Sequence, residues 1–325
     1  MWLEALSEVT QQPKSGSRDG EAREMIGYYG RLEPEAQEYT WLQNPRRALS
    51  PVYAAAEILW YWSRVDNIDM IKYYAPQYQR FSNRGKAYGA YGMRFAWQGG
   101  DLLKRAVTFL EEKPDTRQCV VPIWQPSDLR EAMSGEWNDI PCTVCMHFLR
   151  RNEQLHLEVY MRSNDLWLGL PYDVFAFTAI QRVLAGELQI AVGSYGHHVG
   201  SLHLYERHYK AACEAVTVHQ RPGIDLPHNW NREHDGFIPA DNAVLMEENI
   251  RTGKPGLPKA FNPMLGPMTR DLILAIRAYH DLQHGHRYRP NFKSESLREG
   301  WETYVNSRRP GPSGQDNPVQ EAGGQ

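Results

Sequence analysis

Four absences bound what this chain can be. Its 325 residues include only four cysteines, Cys119, Cys142, Cys145 and Cys213. That is too few for a disulfide scaffold at this size, and a reduced, cytoplasmic protein is expected. No apolar run reaches the roughly 18 residues of a membrane span, and the opening Met1-Trp2-Leu3-Glu4 lacks the basic-then-apolar order of a signal peptide. Neither sign of charge dominates: 36 basic residues stand against 39 acidic ones, a net charge of -3. This balance argues against a protein built to coat nucleic acid or a membrane surface, while leaving room for a local pocket for one phosphate. No second C-x-x-C pair accompanies Cys142-Thr143-Val144-Cys145, so a four-cysteine zinc site is excluded and no metal is expected. If that segment is a strand, side chains three apart face opposite ways and the two thiols do not converge.

What is present is core material. With 42% hydrophobic and 11% aromatic residues the chain can bury a sizeable interior. Ser50-Pro51 opens a helix, with Ser as N-cap and Pro at the first helical position. Val52 to Trp62 is then apolar on all sides except Glu57, the mark of a buried helix. Glu57 is either a structural partner for an arginine or an acid/base with a raised pKa. Asp101 caps a second helix, which Lys113-Pro114 stops. Strands are expected at 119–124, 144–149 and 155–161, a long helix at 173–188, and extended chain at 189–192 and 202–205. The stretch 215–267 reads as proline-rich and irregular, and 269–280 as helical. Without a regular βαβ alternation, these elements favour an α/β protein of α+β type, a mixed sheet covered by helices. A single domain is expected over 1–307, with a disordered tail at 308–325.

The chemistry gathers in one span. Asp139-Ile140-Pro141-Cys142 holds a thiol behind a proline. Arg162-Ser163-Asn164-Asp165 puts a fixed cation beside a hydroxyl, and Gly169-Leu170-Pro171-Tyr172-Asp173 adds a second carboxylate after a turn. Thiolate is the reactive form of cysteine, and positive charge nearby favours it. A buried inert cysteine is the alternative from local sequence alone. Near the start, Ser15-Gly16-Ser17-Arg18-Asp19-Gly20 reads as a loop. There Arg18 is either an anion ligand, backed by backbone N–H groups, or a solvated arginine.

Taken together these segments resemble the thymidylate synthase and pyrimidine nucleotide hydroxymethylase family. Pro141-Cys142 is similar to its nucleophile motif, and the 162–165 and 169–173 segments to its RS-x-D and GLP-(F/Y)-(N/D) signatures. His203-Leu204-Tyr205 is similar to its H-x-Y ribose motif. Glu57-Ile58-Leu59-Trp60 resembles its buried helix, Tyr91-Gly92 its Y-G turn, and Asp115-Thr116-Arg117 its interface loop. The motifs keep family order from about residue 15 to 210, and the likeness fades beyond 215. The resemblance implies a homodimer formed through the sheet, with Arg117 reaching the partner's site. It implies 5,10-methylenetetrahydrofolate as co-substrate and no metal. Cys142 would add to C6 of a pyrimidine and make C5 nucleophilic toward the one-carbon unit. Glu57 would handle protons, and Tyr91 would assist loss of the C5 proton. Arg18, Arg162, Ser163 and the partner's Arg117 would hold the 5′-phosphate, with Arg23 competing with Arg18 for that place. His203 and Tyr205 would hold the sugar; Asp165, Gly169 and Tyr172 would meet the folate.

Departures from the family pattern sharpen the expectation. Asp173 stands where a synthase carries Asn. A carboxylate accepts from the N4 amino group of cytosine and can share a proton with N3, so a cytidine 5′-monophosphate is the expected nucleotide. Thr143 replaces the His after the cysteine, and Gln118 replaces a second interface arginine. Gln77 falls near the place of a cleft tryptophan, which favours water over hydride as the final nucleophile. No stable nucleic-acid binding is expected.

Overall fold

The computed structural model describes residues 1–17, 20–34, 41–42, 44, 46–97, 100–218, 236–254, 265–286 and 289–307. After helix α1 (Trp2–Val9), strands β1 (Lys14–Ser17) and β2 (Gly20–Leu32) form a hairpin. Helix α2 (Pro51–Ser63) follows, then α3 (Asp69–Tyr74), a 3-10 turn at Pro76–Phe81 and the short α4 (Tyr91–Phe95). A two-stranded ribbon, β3 (Ala96–Trp97) and β4 (Gly100–Asp101), leads into α5 (Leu102–Glu112). Then come β5 (Val120–Pro122), α6 (Pro126–Ser134), β6 (Thr143–Arg151), β7 (Gln154–Asp165), α7 (Leu170–Glu187), β8 (Ala191–Tyr205) and α8 (Glu206–Thr217). The described chain closes with α9 (Phe237–Thr252), α10 (Pro267–Gln283) and α11 (Glu295–Ser307).

Six strands form one mixed sheet in the order β1-β2-β8-β7-β6-β5. Only β7 and β8 run parallel, which requires a crossover, and α7 supplies it. Helix α7 packs on β7 and β8 on one side and on α2 on the other. Both helices are buried almost all round, as their unbroken apolar sequences demand. Buried apolar residues from Trp2 to Tyr304 make one continuous cluster. Ile26, Tyr29, Val120, Val144 and Tyr160, all on strands of the sheet, are exposed.

The expected caps are present: Ser50 Oγ accepts from Tyr53 N at 3.1 Å, and Asp101 Oδ1 from Leu103 N at 2.9 Å. Several expectations need correction. Residues 15–17 are strand rather than loop, because their backbone pairs with Gly20–Ala22 and with it Lys14 pairs with Arg23. Residues 191–192 and 202–205 are parts of one 15-residue strand, while Gln189 and Ile190 precede it, with Gln189 in a left-handed turn conformation. The strand's glycines hid it, and they make room for neighbours: a Cβ at Gly196 would meet the Glu158 carboxylate. Within 215–267 lies α9, which buries Ala240, Ala243, Glu247 and Ile250 at helical spacing. Residues 308–325 lie outside the described residues.

Candidate active site

Sheet topology brings the motifs together. Parallel pairing sets Ser163 opposite Ser201 and Asp165 opposite His203, at the carboxyl ends of β7 and β8. Antiparallel β6 starts at the same edge, with Thr143 opposite Met161, and so places Cys142 there. From β2, Ala22 and Glu24 pair with Tyr205 and His203. The carboxyl edge of parallel strands is where open sheets commonly hold ligands.

This edge floors a cleft of about 1020 Å³. Cys142, Arg162, Ser163, Asn164, Asp165, His203 and Tyr205 line it. Arg162 ties the nucleophile loop down: Nε donates to Pro141 O at 3.0 Å, Nη2 to Ile140 O at 2.9 Å, and Nη2 lies 3.6 Å from Cys142 Sγ. A fixed guanidinium at this range stabilises negative charge on sulfur. Ser163 Oγ lies 3.4 Å from His203 Nδ1, and the His203 and Tyr205 rings meet edge to face. Asp165 is buried. Its Oδ1 accepts from Trp167 N and Leu168 N, while Oδ2 has no hydrogen-bond partner among the described residues. Asn164 is fixed by a buried histidine: its Nδ2 lies 2.9 Å from His197 Nε2, and His197 Nδ1 lies 2.6 Å from Tyr195 OH. Burial lowers the His197 pKa to about 3, so the ring is neutral, and the nearby His198 adds to the shift.

Behind Cys142 lies a second, smaller space of about 30 Å³. Tyr53, Glu57, Tyr61, Tyr78, Tyr91 and Asp139 line it, together with Cys142 itself. It is large enough for one or two waters. Glu57 has tyrosines rather than an arginine around it. Tyr53 OH donates to Oε1 at 2.7 Å, and no cation among the described residues pairs with it. Burial raises its pKa to about 7, and the hydroxyls of Tyr53 and Tyr61 oppose that rise. The Tyr91 hydroxyl accepts from Thr143 N at 3.1 Å and from Thr143 Oγ1 at 2.9 Å, which locks it to the residue after the thiol.

Other expected site residues lie elsewhere. Asp173 is buried one layer behind the cleft, where a Cβ on Gly169 would sit 3.3 Å from its Oδ2 and 2.7 Å from Asn164 Oδ1. Asp173 belongs to the first turn of α7, and the N-cap is Gly169 rather than Asp173. Its charge raises the pKa values of Tyr61 and Tyr91, each of which burial raises first. Tyr172 lines neither space; its hydroxyl accepts from Ser50 N at 2.7 Å. Ala176 is buried within α7 and lines neither. Arg117 is exposed near the sheet's outer edge, where its carbonyl meets His147. Arg18 lies outside the described residues, although Ser15, Gly16 and Ser17 line the cleft. Arg23 is engaged by Glu206 at 2.9 Å and lines no part of the cleft. Gln77 lines neither space, and Tyr78 from the same turn enters the chamber. Arg80, Arg207 and Glu24 also line the cleft and Asp139 the chamber, none of them with a role expected from sequence. Arg207 follows the H-x-Y motif directly and offered a signal; Arg80 and Glu24 offered none.

Fold and site define an α/β protein with a thiol where an open, ligand-sized cleft meets a closed carboxyl chamber. The family model described as thymidylate synthase matches residues 2–243, and the chain belongs to that family. It is similar to the thymidylate synthase of Mycoplasma pneumoniae, 28% identical over 160 residues, which cover 49% of this chain and 53% of the relative. The thymidylate synthase of Mycoplasma genitalium is 29% identical over 149 residues, 46% of this chain and 48% of the relative. The chain therefore spans about half the length of these curated relatives. Among the described residues no three His, Cys, Asp or Glu side chains group to hold a metal, and no helix is long and apolar enough to cross a membrane.

Proposed function

We propose that this protein transfers a one-carbon unit to C5 of a cytidine 5′-monophosphate and releases the hydroxymethyl nucleotide, with CMP ahead of dCMP. The observation that carries the reading is the position of Cys142. It lines both the cleft, with its sulfur 3.6 Å from Arg162 Nη2, and the chamber that Glu57 also lines, so one side is suited to a nucleotide and the other to proton traffic.

In this reading Cys142 attacks C6, and Arg162 supports both the thiolate and the phosphate. Ser163 joins it, with Arg18 from the hairpin and Arg117 from a partner subunit. The exposed apolar side chains Ile26, Tyr29, Val120, Val144 and Tyr160 on the strands support a homodimer through the sheet. His203 and Tyr205 hold the sugar. Glu57, half-protonated near neutral pH, can both donate and accept, with Tyr91 beside it. Asp173 favours cytosine, acting from behind Asn164 and Gly169. Asp165, which lines the cleft, would meet the amino-pyrimidine edge of a reduced folate, with Gly169 and Tyr172 behind it. Methylenetetrahydrofolate, when bound, supplies the carbon at the formaldehyde oxidation level. The preference for CMP rests on a resemblance to the CMP hydroxymethylase of a nucleoside-antibiotic pathway such as that of mildiomycin. A cytoplasmic setting accords with the free cysteines.

The second reading is a dCMP hydroxymethylase or a nucleotide C5-methyltransferase of thymidylate-synthase type, the latter favoured by the names of the Mycoplasma relatives. A non-catalytic nucleotide- or RNA-binding regulator is a third. One experiment separates them: CMP, dCMP, UMP and dUMP are each offered with methylenetetrahydrofolate in 18O-labelled water. The expected outcome is loss of C5 hydrogen from cytosine nucleotides and one labelled oxygen in the product. A methyl product overturns hydroxymethylation; no turnover with any nucleotide favours the regulator. Asp173→Asn is expected to erode the cytosine preference by about 10- to 100-fold, and unchanged selectivity removes Asp173 from base reading.

A further inference from the structure

Glu57 is not alone in the chamber. Asp139 stands three residues before Cys142 and is buried, with 8% of its surface exposed. Its Oδ2 accepts from Gly89 N at 2.8 Å, while Oδ1 has no hydrogen-bond partner among the described residues. It lines the same small space as Glu57 and Cys142. A buried carboxyl oxygen without a partner is costly unless something polar meets it, and the space it borders has room for water.

Tyr78 reports the arrangement independently. Burial raises its pKa well above the ordinary tyrosine value, and the charges of Glu57, Asp139 and Cys142 add to that rise in this order. Its side chain lines the same small space as all three residues. Asp139 itself is shifted up to about 6 by burial, against the pull of the backbone N–H groups of Gly89, Asp139 and Tyr88 and of Arg94. A structural anchor for the Gly89 turn needs only one oxygen. The second oxygen, and the shared chamber, are left to explain.

We propose that Asp139 is the base for the water that completes hydroxymethyl transfer, and that Glu57 serves the earlier proton steps. This rests on the functional reading above. The water oxygen bonds to the exocyclic carbon on C5, and the proton it loses passes to Asp139 Oδ1. The electron pair of the exocyclic double bond becomes the C5–C6 double bond. The C6–S bond breaks and returns Cys142 as thiolate. No oxidant or reductant is consumed, and the reduced folate has left beforehand.

Asp139→Asn tests this, because its amide oxygen can still accept from Gly89 N while the base is lost. Two quantities are compared with wild type: 18O-hydroxymethyl product with folate present, and exchange of the C5 hydrogen of CMP in D2O without folate. A general base is worth about 100-fold or more, so the product yield should fall about 100-fold further than the exchange rate does. A parallel fall in both, or no fall in product, overturns the assignment. If Asp139→Asn does not fold, Asp139→Ser is judged by the same ratio. The wild-type product alone tests the functional reading, so failure there is distinct from failure of the variant-to-wild-type ratio.

Discussion

Cys142 borders two spaces of opposite character. The cleft holds about 1020 Å³ and is walled by arginine, serine and histidine side chains that point toward solvent. The chamber holds about 30 Å³ and is walled largely by tyrosines. Both contain buried carboxyls, yet these are treated differently. Asp165 at the cleft receives two backbone N–H groups on one oxygen, which stand in for the water it has lost. Glu57 in the chamber receives only phenol hydroxyls, and its pKa rises to about 7. Burial raises the Glu57 pKa, and the phenol donors offset only part of that rise. The cleft is built to hold charge and the chamber to exchange protons.

The sharpest way to break this comparison is to remove the atom shared by both sides. Cys142→Ser should lower C5 exchange on CMP on the order of 10³-fold or more, because an alkoxide is hard to form there. Retained exchange, read by NMR in D2O, would show that the thiol joins nothing. Next comes Glu57→Gln, which addresses the chamber alone. Turnover should fall about 10²- to 10³-fold while nucleotide affinity changes little. The same variant sharpens the electrostatic half of the comparison. The unfolded chain releases the Glu57 proton near the ordinary value of 4.5, and the folded chain holds it to about 7. Between those values the folded state carries more protons, so stability falls as pH rises, by roughly 3 kcal/mol across the window. Asp139 adds a decline of the same sign between 3.8 and about 6. Urea midpoints from pH 4.5 to 8 should show a shallower decline in Glu57→Gln than in wild type; equal slopes would refute the buried, protonated carboxyl. The smallest effect belongs to the cleft. Arg162→Lys keeps the charge but loses the fork that grips Pro141 O and Ile140 O. A loss of about tenfold in kcat/KM is expected from steady-state kinetics.

Much of this division was legible before any coordinates. The all-apolar run around Glu57 announced a buried helix, and the motif spacing announced the convergence at Cys142. The rest was hidden for physical reasons. Periodicity fails in β8 because Gly193, Gly196 and Gly200 present no side chain to either face. Asp139 carried no local signal, since its importance comes from a long-range hydrogen bond to Gly89 and from a cavity that exists only after folding. Tyr172 and Asp173 sit in a recognisable motif, yet both are buried in the first turn of α7 and line neither space, which motif order does not reveal.

Gly89 has a last consequence for anyone who wishes to reshape the pocket. A Cβ placed there would lie 2.0 Å from the carbonyl oxygen of Asp139 and 3.3 Å from Pro141 N. The two loops touch backbone to backbone, without a flexible side chain between them to yield. Redesign of the volume around the thiol has to proceed by trimming rings such as Tyr78 or Tyr53. The seam beneath them tolerates no added methyl group, and a library that randomises it would consist mostly of chains with a displaced sulfur.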